Sequence, residues 1–253
     1  MENPLPIAVP ESELQERRER VFLILAGVFI CSMTMLNIIG STRFIALGPL
    51  TLTVGVLPYP LTFLCTDLIC ELYGKKRANF LVTLGLCLNL FIFAVIYLAH
   101  WAPGVPEAVM PPWQNMEIVG EMTLPNNHVA SGHVELFDFI YALTSGAIFA
   151  SMLAYTAAQY IDVRLFHFWK TVTKGKHLWV RNNFSTMISQ AVDSVVVIGV
   201  VFAPTYFAGG ITLEQWVGIM ISSYLFKLVA ALLDTGPFYF LTAKLRRYLK
   251  ITA

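Results

Sequence analysis

Six apolar runs decide what this chain can become: residues 21–40, 44–73, 79–101, 134–161, 182–207 and 211–243. A helix that crosses a bilayer needs about 20 such residues, and each run supplies them. Composition removes the alternative of a large soluble core. Of 253 residues, 57% belong to the hydrophobic set and 13% are charged, against roughly 25% charged in soluble domains. The expected fold is all-α, a six-helix transmembrane bundle over residues 21–243 between tails at 1–20 and 244–253. The second and last runs exceed one span, so each is expected to tilt or break. Gly55, Pro58 and Pro60 interrupt the second, and proline inside a membrane helix is tolerated where protein or a watery cavity meets the freed backbone groups.

The tails and loops set the orientation. Residues 1–20 are charged and precede no small-residue cleavage site, so they are not read as a secretory signal. Pro10, Ser12 and Gln15 read as a capped helix start. With six spans, one face collects Arg17, Arg18 and Arg20, then Lys75, Lys76 and Arg77. It also collects Arg164, Lys170, Lys174, Lys176 and Arg181, then Lys244, Arg246, Arg247 and Lys250. The other face keeps Arg43, and Lys227 falls inside the last span. That is 15 of 17 basic side chains on one face, and such excess marks the cytoplasmic side. Both termini are expected inside, in a multi-pass protein of the cell inner membrane. The connection 102–133 is then external, proline-rich and acidic, and is expected to be a partly ordered lid or a connector. His128, His133 and Glu135 there do not make a metal site, and no metal or cofactor is expected. No basic patch interleaved with aromatics points to nucleic acid. Cys31, Cys65, Cys70 and Cys87 lack metal or redox spacing and read as packing residues.

Inside the spans, ionisable groups are the informative residues, because each costs about 2.5–3.5 kcal/mol at a helix centre. At 1.5 Å per residue from the nearest basic edge, Asp67 lies about 12 Å deep, Asp193 about 18 Å and Asp234 about 15 Å. Asp67 and Glu71 share a helix face with Phe63. Polar stripes follow on later spans: Tyr155, Gln159 and Asp162; Asn182, Thr186, Gln190 and Asp193; Tyr224, Lys227 and Asp234. Such stripes also arise as bonds that hold a bundle together, and Lys227 with Asp193 is the pair expected to do so. Adjacent carboxylates, by contrast, repel unless a donor-rich or cationic group meets them. A ligand with paired donors, such as the N1–H and amine edge of a guanine-like base, fits that need. The chemistry alone leaves an amino acid, a cation or a proton path equally open.

PLTFLCTDLICELYGKKRA, AYTAAQYIDVRLFHFWK, LWVRNNFSTMISQAVDS and SYLFK before Pro237, together with Asn37, occur in an order that resembles the queuosine precursor transporter family, also called the vitamin uptake transporter family. The blocks span most of the chain from residue 30 to 240. The resemblance implies a six-span importer of 7-deazaguanine precursors of the tRNA nucleoside queuosine, similar in outline to substrate-binding subunits of ATPase-driven vitamin transporters. It carries over Pro60, Phe63, Asp67, Glu71, Tyr155, Gln159, Asp162, Arg181, Ser185, Thr186, Asp193, Tyr224 and Lys227. Of these, with Asn37, the expected substrate-binding set is Asn37, Phe63, Asp67, Glu71, Tyr155, Gln159, Arg181, Asp193, Tyr224 and Lys227. Ser223 stands where members can carry an acid, and the external loop is longer than in the shortest members.

The expected function is therefore import of cyano- or aminomethyl-deazaguanine or queuine, without enzymatic activity. No phosphate-binding G-x-x-x-x-G-K-[ST] loop occurs, so the chain is not its own ATPase. Proton coupling and facilitated diffusion stay open. The rival is a binding subunit working with an ATPase module, and a second copy of the chain is another open partner. An intramembrane enzyme would need a nucleophile with a base, and neither G-x-S-x-G nor H-E-x-x-H occurs.

Overall fold

The computed structural model describes residues 10–39, 43–47, 50–106, 109–123, 129–207 and 209–251. The described residues form six α-helices: α1 Glu11–Ile39, α2 Tyr59–Tyr73, α3 Lys75–Trp101, α4 Leu136–Val172, α5 Leu178–Phe207 and α6 Leu213–Tyr248. Between α1 and α2 lie strands β1 Phe44–Leu47 and β2 Leu50–Thr53 and a 3-10 turn, Val54–Val56. Between α3 and α4 lie β3 Asn115–Thr123 and β4 Val129–Glu135. Each strand pair is antiparallel. The second is displaced at Val119 and Gly120, where the register jumps from Ile118 to Glu121.

The long connection between α3 and α4 is thus a β-hairpin at its core, more ordered than its composition suggests. His128, one of the residues weighed there, lies outside the described residues. The second apolar run also departs from expectation. Residues 44–73 do not form one interrupted helix. The helical part starts only at Tyr59, after Pro58, with Pro60 in the first turn, where a missing N–H is harmless. It ends at Gly74, whose φ of +81 turns the chain into α3 at a conformation that suits glycine. At the N-terminus the expected cap is absent. Ser12 lies inside α1 and Gln15 bonds to Glu19 at 3.0 Å. The capping box sits instead at α6, where Thr212 and Gln215 bond reciprocally.

α2 is the shortest helix and the hub, packing on α1, α3, α4 and α6. Every residue from Thr62 to Glu71 is buried. Around it the usual distribution of polarity is inverted. Leu23, Phe91, Leu98, Leu233 and Phe240 point outward and exposed, while Asp67, Gln159, Asp162, Asn182, Ser185 and Asp193 are buried. Water would reward the opposite arrangement; hydrocarbon rewards this one. Four helices among the described residues, within α1, α3, α5 and α6, are long and apolar enough to cross a membrane. At 37 residues, α4 is about 55 Å long, ample for a crossing. The chain is a multi-pass, mostly helical membrane protein.

Candidate functional site

Two polar assemblies occupy the interior, one turn apart on α2. The first is a cleft between α2, α5 and α6. Its lining includes Tyr59, Phe63 and Asp67 from α2, Asn182, Thr186 and Gln190 from α5, and Lys227 and Asp234 from α6. The periodicity explains the selection: 59, 63 and 67 advance by four along one face, as do 182, 186 and 190. The cleft is tight, with about 10 Å³ of free space, room for about one water. A base-sized ligand therefore requires the three helices to part.

Lys227 donates to Asp193, as expected from the sequence. Tyr59 completes this group. Its hydroxyl lies 2.9 Å from Asp193 Oδ2 and 2.6 Å from Gln190 Oε1. The Lys227 ammonium also stands 5.1 Å from the centre of the Tyr59 ring. In a low-dielectric interior a paired, ring-capped ammonium keeps its charge at much lower cost than a lone one.

Asp67 is far less well served. It is 3% exposed. The Thr186 hydroxyl is 3.5 Å from Oδ2, the outer limit of a hydrogen bond, and that hydroxyl also donates to the Asn182 carbonyl at 2.9 Å. Oδ1 meets no donor. Across the α2–α4 interface Asp162 is close enough to bond to Asp67. Asp162 accepts from Ser189 at 3.0 Å, and its Oδ2 also lacks a donor. Phe63, Tyr155 and Tyr59 form an aromatic triangle beside this pair, with ring centres 5.4–6.2 Å apart. Gln159 fixes the Tyr155 hydroxyl from below at 2.6 Å.

The second assembly surrounds Glu71 at the basic end of the bundle. Its carboxylate is fully buried and receives Arg181 at 2.7 Å, Lys170 at 3.1 Å and Arg246. Arg181 also donates to the Gly175 carbonyl at 2.8 Å. Beside this cluster, burial and the charges of Lys170 and Lys75 hold His167 below its ordinary pKa, so the imidazole adds no further cation near neutral pH.

The structure thus brings together Phe63, Asp67, Tyr155, Gln159, Asp193 and Lys227. It places Glu71 and Arg181 in the ion cluster, outside the cleft lining. Asn37 donates to Asn89 at 2.8 Å, tying α1 to α3. Tyr224 lies one turn from Lys227 on α6 and is half-buried. Tyr59 was not singled out in the sequence, although its place between Pro58 and Pro60 at a helix start is a signal. Among the described residues no group of three or more His, Cys, Asp or Glu could hold a metal ion.

A "Probable queuosine precursor transporter" from Bacillus subtilis (strain 168) is 26% identical over 193 residues, covering 76% of this chain and 72% of that protein. No solved structure matches the chain significantly. A family model described as "Putative vitamin uptake transporter" matches residues 53–241, a stretch that runs from the end of β2 to the last third of α6 and takes in the cleft and, except for Arg246, the Glu71 cluster. This chain is a transporter of the vitamin uptake transporter family.

Proposed function

We propose that the protein imports a 7-deazaguanine precursor of queuosine across the cell inner membrane, through six spans with both termini in the cytoplasm. The ligand enters the α2–α5–α6 cleft near the middle of the bilayer. The observation that carries this reading is Asp67, a buried carboxyl in the cleft wall with an oxygen that meets no donor. An unsatisfied buried acceptor is costly, and the N1–H and amine edge of a guanine-like base supplies two adjacent donors to a single carboxylate. Phe63 stands one turn away to cover a ring face. The curated relative's name points to the same substrate class.

Lys227 and Asp193 hold Tyr59 at one end of the cleft. The cluster of Glu71, Lys170, Arg181 and Arg246 closes the cytoplasmic end, and opening that end requires its ion pairs to separate or move together. Tyr155 and Gln159 support the aromatic wall.

The test is uptake by the purified protein alone in liposomes, with labelled cyano-deazaguanine. Accumulation that unlabelled aminomethyl-deazaguanine or guanine suppresses and adenine does not is the expected result. Adenine lacks the N1–H and 2-amine donors, and a site built to bond those donors rejects a ligand without them strongly. Uptake that appears only when an ATPase module is added would replace this reading with that of a binding subunit.

A further inference from the structure

The charges around the cleft do not balance. Four acids approach it from four helices: Asp67 on α2, Asp162 on α4, Asp193 on α5 and Asp234 on α6. One cation, Lys227, is present among the described residues there, and Asp193 engages it. The guanidinium groups of Arg181 and Arg246 are held at Glu71. Asp67 and Asp162 face each other. Asp234 remains. It lines the cleft and is half-buried, close enough to Asp67 for their charges to interact. No hydrogen bond or ion pair reaches it among the described residues.

Like charges gathered in low dielectric repel, and a neutral base bound at Asp67 relieves only the shortage of donors there. A ligand that also brings a positive charge relieves both deficits. Asp234 projects from a different helix than Asp67, so the two carboxyls can serve different parts of one molecule. Pro237 adds a further acceptor near this position, because its missing N–H leaves the Leu233 carbonyl without its usual helical donor.

We propose that Asp234 is the specificity-determining residue of the cleft and receives an ammonium group on the 7-substituent, so that cationic deazaguanines are selected over neutral ones. The inference rests on the deazaguanine reading above. Two probes separate it from that reading, since aminomethyl- and cyano-deazaguanine share the base edge and differ in charge. In titrations of the purified protein, the wild type binds the aminomethyl compound about 10-fold or more tightly than the cyano compound, the scale of one hydrogen bond between charged groups.

Asp234→Asn weakens the aminomethyl compound about 10- to 100-fold and weakens the cyano compound far less, so that the preference for the cation disappears. Asp234→Glu, which keeps the charge on a longer arm, retains the preference for the cation. Size-exclusion profiles and melting temperatures report that the variants are folded. Equal weakening of both ligands, no weakening of either, or a wild type that prefers the cyano compound overturns the proposal. A wild type that binds neither probe removes the deazaguanine reading itself, and this inference with it.

Discussion

At the scale of single residues, the interior charges sort by how completely they are answered. Lys227 and Asp193 answer each other, and removing one leaves a buried charge alone, at about 3–5 kcal/mol. Lys227→Met and Asp193→Leu should each lower thermal stability in detergent strongly, whereas the double variant should be more stable than either single one. Tyr59 keeps Gln190 as a partner in the double variant, so its hydroxyl is not stranded. A double variant as unstable as the two losses combined would show that the pair does not exist. Glu71 is the sharper case, since three cations depend on it. Glu71→Gln leaves the buried Arg181 without an anion and should cost about 3–5 kcal/mol, read as a drop in melting temperature. Unchanged melting would mean that the cluster is held by something other than this carboxylate.

The pair Lys227–Asp193 was legible in the sequence because an ammonium deep in an apolar run must find an acid, and few are at its depth. The cluster at Glu71 was not, because its partners come from positions 99 to 175 residues further along the chain, and only the packing of α4, α5 and α6 onto α2 brings them together. The contact of Asp67 with Asp162 was hidden for the same reason.

At the scale of elements, the hydrophobic runs mark the helices well wherever an apolar face continues to a basic edge. α3, α4, α5 and α6 begin or end within several residues of the runs that announce them, and the helices overshoot at the basic ends because charged turns continue the helical backbone outside the apolar zone. The run 44–73 misleads because hydrophobicity does not distinguish a lipid-facing helix from β1, β2 and a buried half-length helix. α2 is about 22 Å long at 15 residues, so the turn Val54–Val56 before it has to complete the second of the six proposed spans, and its burial on nearly all sides makes its polar side chains ligand or partner contacts rather than lipid contacts. The two hairpins were invisible to periodicity because β1 and β2 are four residues each and β3 and β4 are interrupted by Gly120 and Gly132.

The placement of these elements predicts accessibility. In a cysteine-free background, a cysteine at Ser131 on β4 should react with an impermeant thiol reagent in intact cells, and one at Lys176 between α4 and α5 should react only after lysis. Both positions are exposed. The reversed pattern would invert the bundle and put the Glu71 cluster on the outer face.

At the scale of the whole molecule, the proposed transport of a base-sized cargo has to open a tight cleft. With room for about one water, the cleft can admit a ligand only if α2, α5 and α6 separate, which strains or breaks the bonds that Tyr59 and Lys227 make to Gln190 and Asp193 on α5. The Glu71 cluster joins α2, α4, α5 and α6 at one end, so opening there and opening at the hairpin end are different motions, as alternating access requires. In the proposed transport cycle Asp67 reads the cargo. Titration of cyano-deazaguanine into wild type and Asp67→Asn tests it most directly, since the substitution preserves shape and replaces half of the acceptors with donors. The account predicts a folded variant whose affinity falls about 10- to 100-fold, the loss of a charge-assisted hydrogen bond; a folded Asp67→Asn protein that binds the base as the wild type does would contradict it.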